Sequence, residues 1–274
     1  MGDWPVTYVG EPSNGVFGFM SFAYLNATLN AKSSWTQCVA ATPFDCYLTV
    51  AFTGTATYPN ADYLFDIGIG AAGAEVVLFP DILRSVINIY DTNSAEYVFI
   101  PILIPANTRI AFRTARTTAS PTVQCFGYMI PATSWSAFRG FQKMLTHGAD
   151  STDSGGTSVT TGSVGSFGIG DIVQIADGSS ITSPVKGVII DIGSQRNTAR
   201  GNKRYALGVA YGSGYTSVIS DYYFSTNSAD DLLYPRSSLV IPCSIPAGEA
   251  IYLYAGCNTS GAESFDVVLH TLHG

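Results

Sequence analysis

Apolar residues along this chain mostly alternate with polar ones or gather in short β-branched runs. Gly, Pro, Asn and Ser punctuate them. Tyr47-Leu48-Thr49-Val50-Ala51-Phe52, Val188-Ile189-Ile190-Asp191-Ile192 and Phe265-Asp266-Val267-Val268-Leu269 are examples. A period of two indicates strands with one face packed, and short apolar runs between turn signals indicate strands buried on both faces. The pattern predicts an all-β protein built from antiparallel sandwiches of jelly-roll-like type, with the strand topology left open. One stretch departs from it. Trp135, Phe138, Gln142 and Leu145 recur at helical spacing, Thr133 or Ser134 can cap the start, and His147-Gly148 can end it. This predicts one short helix.

The pattern also occurs twice. Ile100-Pro101-Ile102-Leu103-Ile104-Pro105-Ala106-Asn107 returns as Ile241-Pro242-Cys243-Ser244-Ile245-Pro246-Ala247-Gly248. Ile67-Gly68-Ile69-Gly70 is answered by Leu207-Gly208-Val209-Ala210 at nearly the same separation. Two tandem β-sandwich domains follow. The first covers 1–147, with an N-terminal arm and the helix at its end. A Gly/Ser/Thr linker covers 148–166, and the second domain covers 167–274. Residues 1–34 have no visible counterpart in the second copy. They form either an extra hairpin or an arm that adds to a neighbour's sheet.

The repeated Ile-Pro-Ala-Asn/Gly element has a local mechanism. Proline sets φ for the first corner, and Asn107 or Gly248 accepts the left-handed conformation that reverses the chain. Pro101 and Pro242 lack an N–H, which confines them to an edge, a strand start or a bulge.

Composition adds a constraint. Charged residues are 12% of the 274, about half the usual share of roughly 25%. Such a surface suits a subunit packed against others, where buried charge is costly. The net charge of −7 argues against general nucleic-acid binding, which needs cations to displace counterions. No apolar run reaches the roughly 18 residues of a membrane span. The first residues lack the basic and apolar regions of a secretory signal, so synthesis in a cytoplasm is expected. Cys38, Cys46, Cys125, Cys243 and Cys257 are odd in number and show no metal spacing, so reduced thiols are expected.

Candidate chemistry is sparse. No nucleophile elbow, P-loop or zinc-helix motif is present. His270 and His273 fall on opposite faces of a strand. Asp230-Asp231 is the only adjacent carboxylate pair and reads as a solvated turn or a weak cation site. The expectation is a protein that is not an enzyme, with no cofactor and no metal. A glycan-cleaving site assembled from distant carboxylates is the remaining catalytic reading.

Differences between the copies mark candidate contacts. The segment 195–204 carries Arg196, Arg200, Lys203 and Arg204, whereas the matching 54–61 has no basic residue. It is either a solvated hairpin tip or a contact for an acidic partner. After the Pro-Ala turn, Arg109 and Arg113 face outward in one copy, and Tyr252 and Tyr254 do so in the other. Exposed Tyr at low charge density is typical of recognition surfaces.

The run Gly68-Ile69-Gly70-Ala71-Ala72-Gly73, the Phe79-Pro80 strand end and Ile104-Pro105-Ala106-Asn107-Thr108-Arg109-Ile110 resemble β-sandwich repeats of tailed-bacteriophage virion proteins. The similarity covers roughly 63–130 and, more weakly, 203–272. It implies a virion structural protein made in the host cytoplasm, of the tail or adsorption apparatus rather than the head. Its partners would be other virion subunits and copies of itself. A capsid decoration protein, or a receptor- or carbohydrate-binding module that takes a host surface glycan, is the alternative.

Overall fold

The structure is a computed structural model. It describes residues 7–8, 20–22, 29–54, 61–86, 96–116, 123–132, 140–193, 202–226, 233–234 and 237–274. The first half carries β1 (Thr7–Tyr8), β2 (Met20–Phe22), β3 (Thr36–Val39), β4 (Cys46–Gly54), β5 (Ala61–Ile69), β6 (Val76–Val86), β7 (Glu96–Ile104), β8 (Ile110–Arg116) and β9 (Val123–Pro131). The second carries β10 (Lys143–His147), β11 (Thr157–Thr160), β12 (Gly168–Ile169), β13 (Val173–Ala176), β14 (Val185–Gly193), β15 (Lys203–Tyr211) and β16 (Thr216–Thr226). It continues with β17 (Leu233–Tyr234), β18 (Ser237–Ser238), β19 (Ile241–Ile245), β20 (Ile251–Cys257) and β21 (Ser264–His273).

These strands form four sheets among the described residues. β1-β9-β4-β7-β18, with β2 also on β9, faces β3-β8-β5-β6 across one apolar core. β10-β21-β14-β19, with β11 also on β21, and β12-β20-β15-β16-β17, with β13 also on β20, enclose a second core. Pairing is antiparallel except for β18, which runs parallel to β7. The architecture is nearly all-β and sandwich-like, as the alternation predicts.

The pairing scheme of the first half recurs in the second. β4 lies between β7 and β9 as β14 lies between β19 and β21. β8 joins β3 and β5 as β20 joins β13 and β15. The N-terminal segment has a counterpart after all. β1 and β2 both pair with β9, as β10 and β11 both pair with β21. The likeness lies in hydrogen bonding and leaves no trace in side-chain identity.

The repeated turn behaves as its residues dictate. Asn107 (φ 59°) and Gly248 (φ 83°) are both left-handed. Pro101 and Pro242 sit at register shifts, between the pairs Cys46↔Ile104 and Leu48↔Ile100 and at Gly187↔Pro242 after Val185↔Ile245. A bulge tolerates the missing proton donor.

Two expectations are corrected. The predicted helix is absent from its described part. Residues 133–139, with Trp135 and Phe138, lie outside the described residues, and Lys143–His147 is strand β10, paired with β21. A 3-10 turn is described at Gly178–Ser180, capped by Asp177. Long-range pairing outweighs a weak local periodicity. The stretch read as a linker, 148–166, is built into the second sandwich. Asp150 bridges Gly155, β11 pairs with β21, and Thr161 bridges Ala255. No helix among the described residues is long and apolar enough to cross a membrane.

The two halves pack closely. β14 and β21 are buried on both faces, which explains their nearly continuous apolar runs. Val188, Ile190, Val267 and Leu269 point into the second core, while Ile189 and Leu272 join the first. Val268 meets Leu64, Leu83 and Ala115 in a cluster between the halves.

Candidate functional site

The outer face of the β12-β20-β15-β16-β17 sheet carries the candidate site. Tyr205, Leu207 and Val209 of β15 point into the core. Arg204, Ala206, Gly208 and Ala210 take the opposite parity. These small residues leave room for rings from the flanking strands. Ala206 is paired with Tyr223 of β16, while Gly208 and Ala210 are paired with Tyr254 and Tyr252 of β20. The Tyr254 ring crosses Gly208, where a Cβ would lie 2.1 Å from it, and its hydroxyl is 3.3 Å from Ser217 Oγ.

An aromatic pair stands at each end of this stripe. Tyr215 and Tyr252 meet edge to face at 5.0 Å. Phe167 and Tyr223 do the same at 5.9 Å. Tyr223 keeps 59% of its surface exposed and Tyr215 48%. Arg204 to Ala210 is six steps of strand, so the pairs mark a row about 20 Å long. Edge-to-face pairs hold each other's orientation while leaving one face free.

Local backbone strain holds two of these rings. Ser166 (φ 67°), Phe167 (φ 61°) and Tyr215 (φ 50°) are left-handed without being glycine, at a cost of about 1–2 kcal/mol each. Such outliers cluster where a ligand is held. The Phe167 amide donates to the Cys257 carbonyl at 2.8 Å. Gly256 permits this approach, because a Cβ there would lie 2.5 Å from the Phe167 carbonyl oxygen. Phe167, Arg204, Tyr223, Phe224 and Ser225 line a pocket of about 480 Å³. Arg204 is exposed, and its guanidinium forms no ion pair with any described residue.

The equivalent face of the first half is already filled. Trp35 lies over Gly68 as Tyr254 lies over Gly208; a Cβ at Gly68 would be 2.6 Å from the indole. Arg113 sits 4.4 Å above the Trp35 ring and donates to Asp66 at 2.7 Å. Lys32 bridges Asp66 and Asp81. Arg109 binds Glu75 at 2.8 Å and Gln37 at 2.8 Å. Further along this sheet, Leu64 and Ala115 are covered by the second half through Val268.

The expected contact residues therefore divide. Arg109 and Arg113 face outward but are engaged within the chain. Arg196 and Arg200, like the pair Asp230-Asp231, lie outside the described residues. Lys203 forms an ion pair with Glu263. Arg204, Tyr252 and Tyr254 come together on one face. Sequence reasoning missed Phe167, Tyr215 and Tyr223. A signal existed for Phe167, a lone aromatic in a Ser/Gly-rich stretch.

A second polar cluster lies between the halves and is largely buried. Asp191 Oδ1 is 2.9 Å from Arg84 Nη1 and accepts from Ser238 Oγ at 2.5 Å. Its Oδ2 accepts from the Leu83 amide and lies 3.0 Å from His270 Nε2. His270 Nδ1 is 2.8 Å from Thr146 Oγ1. The order hydroxyl, imidazole, carboxylate matches that of a hydrolytic triad. Asp191 and His270, however, are fully buried, and the Phe79 ring packs 4.9 Å from the imidazole. Asp191, His270 and Arg84 thus brace the interface between the halves. Burial alone would raise the Asp191 carboxyl, but Arg84 and His270 outweigh it and hold it below the usual range. On the other face of β21, Thr271 Oγ1 lies 3.0 Å from His147 Nε2 and 2.9 Å from His273 Nε2. Burial lowers His147 to about 4 and lowers His273 as well. Among the described residues no three His, Cys, Asp or Glu side chains gather as metal ligands would.

No family model matches this chain, and no curated protein does. The resemblance to tailed-bacteriophage virion proteins thus gains no support at the sequence level. Solved structures of similar outline include PNGase F, a glycosylasparaginase from Flavobacterium meningosepticum. It shows 8% identity, 98% of this chain and 96% of that one covered, and a TM-score of 0.41. The tandem CBM22-1-CBM22-2 domain of Paenibacillus barcinonensis Xyn10C follows with 11% identity, 99% and 92% coverage and a TM-score of 0.27. The infectious bursal disease virus VP2 subviral particle is similar over 86% of this chain and 58% of that one, with 13% identity and a TM-score of 0.26. Likeness at this level assigns no activity. The expectation that the chain is not an enzyme is withdrawn, since an enzyme, PNGase F, stands among these structures.

Proposed function

We propose that this chain is a recognition protein that binds a glycan on the outer face of the second sandwich. The observation that supports this reading is the row formed by Phe167, Tyr223, Tyr254, Tyr252 and Tyr215 over the small residues of β15. Sugar rings present C–H faces that stack on aromatic rings, and hydroxyls that suit Tyr and Ser side chains. The sister face, closed by Trp35 and the ion pairs of Lys32, Arg109 and Arg113, serves stability. The test is a glycan array followed by calorimetry on the strongest ligand. Tyr223→Ala and Tyr215→Ala are exposed changes and should each weaken binding by about tenfold, or about 1.4 kcal/mol. Absence of any glycan binding by the wild type at millimolar ligand overturns the reading.

A second reading, a virion subunit that packs against copies of itself and other subunits, is favoured by exposed apolar side chains. Val76 is 67% exposed, Val164 72% and Ile169 63%. In a chain with 12% charged residues, such positions suit assembly. Sedimentation at micromolar concentration tests it. A defined oligomer supports it; a monomer that also fails to co-sediment with purified particles removes it.

A further inference from the structure

We propose that the pocket at the Arg204 end of the aromatic row takes a carboxylate-bearing sugar residue, of uronate or sialate type. The proposal rests on the glycan-binding reading and names the class of sugar. The pocket is walled by Phe167 and Tyr223 at right angles and backed by Phe224 and Ser225. At about 480 Å³ it lies within the range of small-ligand sites and suits a unit of one or two sugars.

Arg204 supplies the charge preference. Lys32, Arg84, Arg109, Arg113 and Lys203 are each paired with a carboxylate of this chain. Arg204 is paired with none among the described residues. Its backbone is fixed, because the Arg204 amide donates to Asn258 Oδ1 at 2.8 Å and its carbonyl accepts from the Asn258 amide at 3.0 Å. The guanidinium therefore projects from an anchored strand beside two aromatic walls. A planar guanidinium matches a planar carboxylate through two parallel hydrogen bonds. Low-polarity walls raise the worth of that contact above that of an exposed pair. A chain of net charge −7 repels acidic polymers in general, so an acidic ligand needs such a built contact.

Each sugar end of the row then has its own role. The Tyr215–Tyr252 pair stacks a sugar ring without regard to charge, and the Arg204 pocket selects the acidic unit.

The experiment is calorimetry of the full chain with oligogalacturonate, sialyllactose, a sulfated disaccharide and neutral galacto-oligosaccharides. At low salt, one carboxylate sugar is expected to bind about tenfold more tightly than its neutral counterpart. Arg204→Gln should remove that preference, so that acidic and neutral sugars bind alike, and unchanged denaturation curves should confirm the fold. Arg204→Lys should restore part of it. Equal binding of acidic and neutral sugars by the wild type overturns the acidic assignment and leaves the glycan reading standing. Preference for the sulfated ligand alone overturns the carboxylate assignment. No binding to any member of the panel overturns both.

Discussion

Tyr254 occupies the space that a side chain at position 208 would need: a Cβ on Gly208 would stand 2.1 Å from the phenol ring. Gly208→Ala should therefore force Tyr254 off the sheet and cost about 1–3 kcal/mol. In a Tyr254→Ala background the same change should cost much less, since the clashing ring is gone. Urea denaturation of the four proteins of this cycle measures the coupling. Additive effects would mean that the ring and the glycine are independent.

The Arg84–Asp191 pair is a buried electrostatic link between the halves, with both side chains almost fully enclosed. Asp191→Ala should destabilise by about 3–5 kcal/mol, because Arg84 is left buried and uncompensated. Replacing both partners by apolar residues of similar volume should cost clearly less than the single change. Equilibrium denaturation decides this, and a single-mutant loss under about 1 kcal/mol would mean that water reaches the pair.

Acid should weaken the fold in two stages. His147 is held neutral down to about pH 4 by burial, with His270 and His273 adding to the effect. An unfolded histidine titrates near pH 6.5. Between these values the unfolded chain binds more protons, so stability must fall as pH drops from about 6.5 toward 4. As pH falls through the ordinary carboxylate value and below, the unfolded chain takes up a proton that the depressed Asp191 resists, and stability falls again. Thermal melts from pH 7.5 to 4 measure the first stage. His147→Gln should flatten it, and an unchanged slope would assign it to other groups.

The thiols should be present but slow to react. Burial and the nearby Asp45 push Cys46 up to about 12, and burial pushes Cys243 up to about 11 and Cys125 well above its normal value. Thiolate is the reactive species, so a thiol reagent at pH 8 should modify the native protein much more slowly than the unfolded one. After denaturation without reductant, five free thiols are expected. A count of three or fewer would reveal a disulfide.

What the chain reveals without its fold is what local physics controls. Period-two alternation produced the strands, because one buried face requires it. The left-handed Asn107 and Gly248 and the bulges at Pro101 and Pro242 follow from the covalent nature of those residues. Tyr252 and Tyr254 were placed outward by parity alone. The stretch 143–147 could not be judged locally, since a few apolar residues at mixed spacing fit either element until β21 supplies partners for β10. The Ser/Thr/Gly stretch has the composition of a linker, yet Val159 and Thr161 find partners more than 90 residues away. Whether an outward cation is available also depends on distant residues: Arg113 is taken by Asp66 and Trp35, while Arg204 meets no such carboxylate among the described residues. The aromatic row joins Phe167, Tyr223 and Tyr254, which only sheet registry brings within reach of one another. Hydrogen-bonded pairing between strands far apart in the chain decided those points, and no window of sequence contains it.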